Sequence, residues 1–166
     1  MNAEYWIKHL GLSRHPEGGY YCATYKGDLT IPATALPPRF HGSRSASTAI
    51  YFLLAGTDFS AFHRLASDEL WHFYAGNSLV VHVIDREGTA SQLHLGDRPE
   101  DGESFQAAVK AGCWFGSRLK DGVGFALVGC TVAPGFEFED FELAKRSELS
   151  AAYPQHEKLI RELTRV

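Results

Sequence analysis

Between Ser47 and Phe136 the apolar residues come in short runs. STAIYFLL, FSAFHRL, ELWHFYA, SLVVHVID, ASQLHLG, SFQAAVKAGCWFG and VGFALVGCTVA are rich in β-branched and aromatic side chains, and Gly, Asp, Asn or Ser turns separate them. Such a pattern predicts at least seven strands, at the spacing of a sandwich or barrel. No helical period interrupts them, which argues against a parallel sheet with crossover helices. The ends read differently. Asn2 is placed to cap a short helix whose Tyr5, Trp6, Ile7 and Leu10 form one stripe, with Gly11 as its stop. In HPEGGYYCATY (residues 15–25) the pair Gly18 and Gly19 marks a turn or a close backbone approach, and YYCATY reads as a strand. Residues 27–46, with Pro37 and Pro38 at the centre, read as a long loop or arm, of the kind that serves function or partner contacts. Near the C-terminus Ser147 is placed to cap ELSAA, and Pro154 to open a helix carrying Leu159, Ile160 and Leu163.

Length and composition narrow this picture. The chain has 166 residues, enough for one domain with a real core, so a single domain is expected over 1–166, its barrel core about 17–142 and its helical tail 147–166. The formal charge of −4 comes with no basic block, which disfavours nucleic acid as a partner. No apolar run approaches the roughly 20 residues that span a bilayer, and MNAEYWIKHLGL lacks the basic and apolar regions of a signal peptide. Cys22, Cys113 and Cys130 are odd in number and widely spaced, which suits reduced thiols. A soluble cytoplasmic protein is the expectation.

The candidate chemistry concentrates in FHRLASDELWHFYAG, residues 62–76. Read as a hairpin with a three-residue loop at Ala66, Ser67 and Asp68, it puts His63, Glu69 and Trp71 on one side of the sheet. With a four-residue loop His63 instead shares its face with His72 and Tyr74, because one residue of slip exchanges the two faces. The sequence leaves both registers open.

This stretch resembles the first motif of the cupin superfamily, H-x-H-x(3,4)-E-x(6)-G. Glu69 and Gly76 match the E-x(6)-G spacing, and His63 takes the first histidine place, while Leu65 stands in the second. The second motif, P-x-G-x(2)-H, is present in outline at KAGCWFG, where Gly112 fits, Lys110 replaces the proline and Phe115 replaces the histidine. More broadly, HPEGGYYCATY, STAIYFLL, FHRLASDELWHFYAG, AGCWFGS and CTVAPGFEFEDFEL together resemble a family of small bacterial and eukaryotic cupins with no established reaction. The resemblance implies an all-β fold: a cupin-type double-stranded β-helix, or jelly-roll barrel, with short N- and C-terminal helices, forming homodimers. The chain is also similar, more distantly, to the dTDP-sugar 3,5-epimerases, metal-free cupins with a barrel histidine as base. Their acid-Arg-Gly-aromatic strand has a counterpart in Glu17-Gly18-Gly19-Tyr20, without the arginine.

These features set the functional expectation: a small-molecule-binding cupin acting as a metal-independent isomerase or epimerase on a small polar carbonyl or sugar-like compound. His63 is the expected base and Glu69 its orienting carboxylate. Glu17 is expected to line the cavity, with Tyr20, Tyr51, Tyr74, Trp114 and Phe115 as walls and His72 as a further substrate contact in the second register. Two alternatives stand beside this one. The first is a barrel that binds its ligand without chemistry. The second is a metal-dependent cupin enzyme with a divalent transition ion on a reduced site of His63 and Glu69, with His72 as an optional third ligand; since such ions want three or four protein donors, no resident metal is expected. Cys130 reads as a buried thiol, and Glu137, Glu139, Asp140 and Glu142 as a solvated acidic patch. His15, His41, His82 and His94 have no partner spacing and receive no role.

Overall fold

A computed structural model describes residues 1–165. Two antiparallel sheets face each other. The larger runs in the order β1 (Ser13–Arg14), β2 (Tyr20–Lys26), β5 (Thr48–Ala55), β12 (Phe125–Ala133), β7 (Asp68–Gly76) and β10 (Gln106–Val109). The smaller runs β13 (Phe141–Leu143), β6 (Phe59–Leu65), β11 (Trp114–Leu119), β8 (Leu79–Ile84) and β9 (Ala90–Leu95). This is the jelly roll that the cupin resemblance implies, and it agrees with the sandwich or barrel that the runs of short strands predict. The 27–46 segment is less irregular than expected, because β3 (Thr30–Ile31) and β4 (Arg44–Ser45) pair within it as a small ribbon.

Alternation along each strand sorts the side chains into three apolar clusters. Phe52, Trp71, Phe73, Val81, Phe115 and Val128 fill the space between the sheets. Helix α1 (Ala3–His9) covers the outer face of the larger sheet, where Trp6, Ile7 and Leu10 meet Leu53 and Leu127. Asn2 does cap this helix, its Oδ1 accepting from Tyr5 N at 3.0 Å. Helices α2 (Arg146–Ala152) and α3 (Glu157–Glu162) cover the smaller sheet, where Leu149, Ile160 and Leu163 pack on Phe62, Ile84 and Trp114. Ser147 does not cap α2: the capping position is Lys145, with no side-chain hydrogen bond. None of the helices is long and apolar enough to cross a membrane.

Two strand expectations need correction, both for the same reason. β6 and β7 are not partners in a hairpin. β6 pairs with β11 and β13, and β7 with β12 and β10, so the Ala66–Ser67 turn carries the chain from one sheet to the other. Likewise SFQAAVKAGCWFG is not one strand, since β10 and β11 lie in opposite sheets with a turn at Lys110–Cys113 between them. In a sandwich, consecutive strands often belong to different layers, and short-range patterning carries no record of the change.

The segment after β12 closes one end of the sandwich. The Arg44 side chain, 1% exposed, donates through Nε and Nη2 to both oxygens of Asp140 at 2.6 and 2.7 Å and also reaches Glu139 at 2.8 Å. The expected solvated acidic patch is therefore largely paired: Glu137 meets Lys26, Glu142 meets Arg64, and the Asp140 side chain is buried. Removing one member of a buried, bidentate pair strands the other charge, a loss of about 3–5 kcal/mol. Arg44→Ala should therefore lower unfolding free energy in urea by that order, and Arg44→Lys, which cannot reproduce the fork, by a substantial part of it. A loss within 0.5 kcal/mol, on the order of an ordinary surface change, would contradict the buried pairing.

Candidate functional site

A cavity of about 240 Å³ opens between the sheets beside this pinned segment. Its acid, imidazole and thiol groups are His15 and Glu17 from the turn before β2, His63 from β6, and Glu69 and Cys130 from β7 and β12, and Tyr25, Lys26 and Thr48 are further polar members of the lining. Tyr21, Ile50, Phe52, Leu65, Val132 and the phenylalanines of the 136–141 segment make the rest mostly apolar.

The turn that presents Glu17 is held tightly. His15 N donates to Gly19 O at 3.0 Å and Gly18 N to His15 O at 3.0 Å, while Ala61 N donates to Glu17 O at 2.8 Å and so ties the turn to β6. Gly18 and Gly19 have φ of 113° and 75°. A Cβ on Gly18 would collide with the Phe59 carbonyl oxygen, and one on Gly19 would lie 2.8 Å from Leu53 O. The glycine pair is thus needed both for left-handed backbone and for close approach.

Hydrogen bonds assign the protons of the site. His63 Nδ1 lies 2.7 Å from the carbonyl oxygen of Ala61, so it must donate, and the neutral ring carries its lone pair on Nε2. That atom faces Glu17 Oε2 at 3.1 Å. Glu17 Oε1 accepts from Ser60 Oγ at 2.8 Å. Burial, then the nearby Glu69 carboxyl, push Glu17 well above the usual carboxylate range, outweighing the Ser60 hydrogen bond. Burial lowers His63 to about 3. The pair is consequently a neutral carboxylic acid donating to a neutral imidazole. His15 is fixed in the opposite tautomer: its Nδ1 accepts from Glu17 N at 3.2 Å, which leaves the proton on Nε2. Burial lowers His15 to about 4, so it too is neutral near pH 7.

Glu69 stands apart from this chain. It is 7% exposed, and burial raises it to about 7. The Cys130 thiol and the Trp71 indole lie beside the carboxyl and offset part of that rise. Even so, Glu69 Oε2 and Trp71 Nε1 each lack a hydrogen-bond partner among the described residues. Neither basic side chain near in sequence pairs with it, since Arg64 meets Glu142 and Lys110 meets Asp68. Cys130 is pushed well above the ordinary thiol range by burial and the two carboxyls, so it is a buried thiol and no thiolate.

Placement of the expected residues divides by strand face. His63 and Glu69 both reach the interior, but from opposite sheets, and the carboxylate on His63 is Glu17 rather than Glu69. Phe115 points inward with its ring 4.1 Å from the His63 ring, behind the polar end and not on the cavity wall. The other aromatics expected as walls lie on the outer faces of the sheets. Tyr20 and Tyr51 lie outside the larger sheet, under α1, and Tyr74 leans on Tyr51 there, with ring centroids 5.9 Å apart. Trp114 lies outside the smaller sheet, with the Arg64 guanidinium 4.5 Å above it. His72 alternates with inward Glu69 and Trp71, and bonds Thr131 Oγ1 and Gln106 on the outer face at 3.1 Å each. Sequence reasoning missed His15 and the phenylalanines. Two signals were available: HPEGG sets His15 two residues before Glu17, and FEFEDF alternates acid with aromatic, so a face of acids implies a face of rings.

The cupin resemblance also implies a metal, which the donors present do not fit. At the four ligand positions stand His63, Leu65, Glu69 and Phe115. The free nitrogen of His63 is engaged by Glu17. No group of three or more His, Cys, Asp and Glu side chains among the described residues is arranged to hold an ion.

Residues 4–144 match the family described as Cupin superfamily (DUF985). A crystal structure of a protein from Shewanella oneidensis is 43% identical, with a TM-score of 0.89 over 99% of this chain and 98% of that one. A hypothetical protein from Leishmania major is 37% identical, with the same TM-score of 0.89 over 100% of both chains. Oxalate decarboxylase from Bacillus subtilis shares the fold at 14% identity and a TM-score of 0.54, the match covering 90% of this chain and 36% of that one. No curated protein matches the chain. The family match over most of the sequence and the two full-length relatives agree with the architecture on which the site is built: the chain belongs to the DUF985 family of the cupin superfamily.

Proposed function

We propose that the protein is a metal-independent isomerase or epimerase that moves a proton on a small carbonyl compound held between its sheets. The observation that carries this reading is Glu69, a buried carboxyl lining the cavity, with one oxygen unpartnered and a pKa of about 7. A proton carrier is most effective when its pKa lies near the working pH, and a buried carboxyl with an unpartnered oxygen has hydrogen-bonding capacity to spare. In this reading Glu69 is the base, and His63, held near 3, is not.

The neighbouring groups divide the remaining work. Glu69 takes a proton from the carbon beside the carbonyl, and the C–H electron pair moves toward the carbonyl carbon as the π pair moves to oxygen. The Nε2–H of His15 makes no hydrogen bond to another described residue, and it donates to that oxygen as negative charge develops. A neutral imidazole suits this task because the donor need not give up its proton. Glu17, protonated against His63, holds a second proton close by. Reprotonation at carbon completes the cycle, with protons and electrons conserved.

Two outcomes follow. In heavy water, the wild-type protein should wash deuterium into at least one enolisable carbonyl compound in a mixed pool, followed by mass spectrometry. Glu69→Gln should slow the wash-in by about 10²-fold or more, and His15→Phe by about 10²-fold. Equal rates in the wild type and Glu69→Gln would remove Glu69 from the chemistry, and no wash-in anywhere would reduce the protein to a binder.

The second outcome concerns stability. Folding holds Glu69 near 7 against an ordinary value of 4.5, so the folded state resists its ionisation. Below pH 4.5 both states are protonated and nothing is lost; stability then falls as pH rises to about 7 and is level above. Glu69→Gln should therefore gain stability relative to wild type between pH 4.5 and pH 8, by up to about 3 kcal/mol, in urea unfolding. A pH-independent difference would contradict the raised pKa.

A further inference from the structure

We infer that the ligand of this cavity is an uncharged, amphipathic carbonyl compound, with an aryl or compact alkyl body, and neither a sugar nor a phosphorylated or carboxylated metabolite. The inference rests on the isomerase reading above and names its substrate class.

The distribution of polarity carries it. The lining is mostly apolar: Ala23, Ala49, Ile50, Phe52, Leu65 and Val132 outnumber the acid and imidazole groups His15, Glu17, His63 and Glu69, and Thr48, Lys26 and the two tyrosines are its other polar members. Rings lie against the imidazoles: Phe138 and Phe141 are 6.4 and 6.2 Å from the His15 ring and Phe141 is 5.3 Å from that of His63, and with Phe136 they form a cluster of edge-on pairs with centroids 5.0 to 6.4 Å apart. Tyr21 meets the His15 ring edge-on at 4.5 Å. A sugar carries hydroxyls on every side, and burying those against phenylalanine strands them without partners, at about 1–3 kcal/mol each. A ligand with one polar group and a flat apolar body satisfies both the few buried donors and acceptors and the apolar lining.

Charge narrows the class further. Anionic ligands need Arg or Lys, or a helix N-terminus, at the binding site. Among the described residues the only such side chain lining the cavity is Lys26, 63% exposed and already bonded to Glu137 at 2.7 Å. Within the cavity an anion would meet two carboxyls, Glu17 and Glu69. A cation finds little more: both oxygens of Glu17 are engaged, by His63 Nε2 at 3.1 Å and Ser60 Oγ at 2.8 Å, which leaves Glu69 as the one remaining carboxyl in the described lining. The small volume also suits a compact molecule, since drug-sized ligands occupy about 300–1,000 Å³.

Four probes test the class in calorimetric titrations of the full chain at pH 7: phenylacetone, its acid and amine analogues phenylacetate and 2-phenylethylamine, and glucose. Phenylacetone should bind at least about tenfold more tightly than each of the others. Phe138→Ala should weaken it about fivefold or more, because Phe138 supplies wall area; it is also 53% exposed, so its truncation leaves the core intact. Tighter binding of the acid, the amine or glucose, or no binding of phenylacetone, overturns the inference. Deuterium wash-in is read separately. Phenylacetone bound without exchange leaves the ligand class standing and removes the isomerase reading; exchange into a sugar with no phenylacetone binding does the reverse.

Discussion

Two carboxyl groups, Glu17 and Glu69, are buried in a β-sandwich interior that pairs neither with a Lys or Arg among the described residues. Moving a carboxylate from water into such a place is far more costly than any single hydrogen bond returns. The site accommodates this by staying protonated. Glu17 shares its proton with the lone pair of His63, which is available because the opposite ring nitrogen is committed to Ala61. Glu69 has no such partner and is left near the neutral range. Burial without a counter-ion therefore accounts for both the neutrality of the imidazoles and the reactivity proposed for Glu69.

The scaffold makes that burial possible by bringing its groups from separate places. Glu17 arrives on a glycine turn, His63 on one sheet and Glu69 on the other. The 136–141 segment then closes the cavity with phenylalanines, and Arg44 fastens that segment through Asp140. The ion pair at the rim and the neutral chemistry inside are connected, because an unfastened wall would admit water and return the carboxyls to their ordinary values.

The architecture was readable where local physics decides it. Short apolar runs between turns marked the strands, Asn2 marked the first helix, and the cupin-like spacing of His63 and Glu69 found two groups that do reach the interior. Face assignments failed wherever they depended on sheet membership. Tyr51 and Phe52 are adjacent and equally aromatic, yet one lies under α1 and the other inside, and only the pairing of β5 decides which. The same holds for Trp114 and Phe115. The hairpin expected at residues 62–76 failed because the turn links two layers, which period-2 patterning cannot register. His15 escaped notice because its significance comes from the fold of the glycine turn, where its ring accepts the Glu17 amide.

The protonation state of the buried carboxyls is the most direct test of this account. Side-chain carboxyl ¹³C shifts followed by NMR from pH 4 to pH 9 on the intact protein should show Glu69 titrating with a midpoint of about 7 and Glu17 still protonated well above the usual carboxylate range. Midpoints for both residues at ordinary glutamate values, about 4.3, would contradict it, because the interior would then hold two solvated carboxylates and no poised proton carrier.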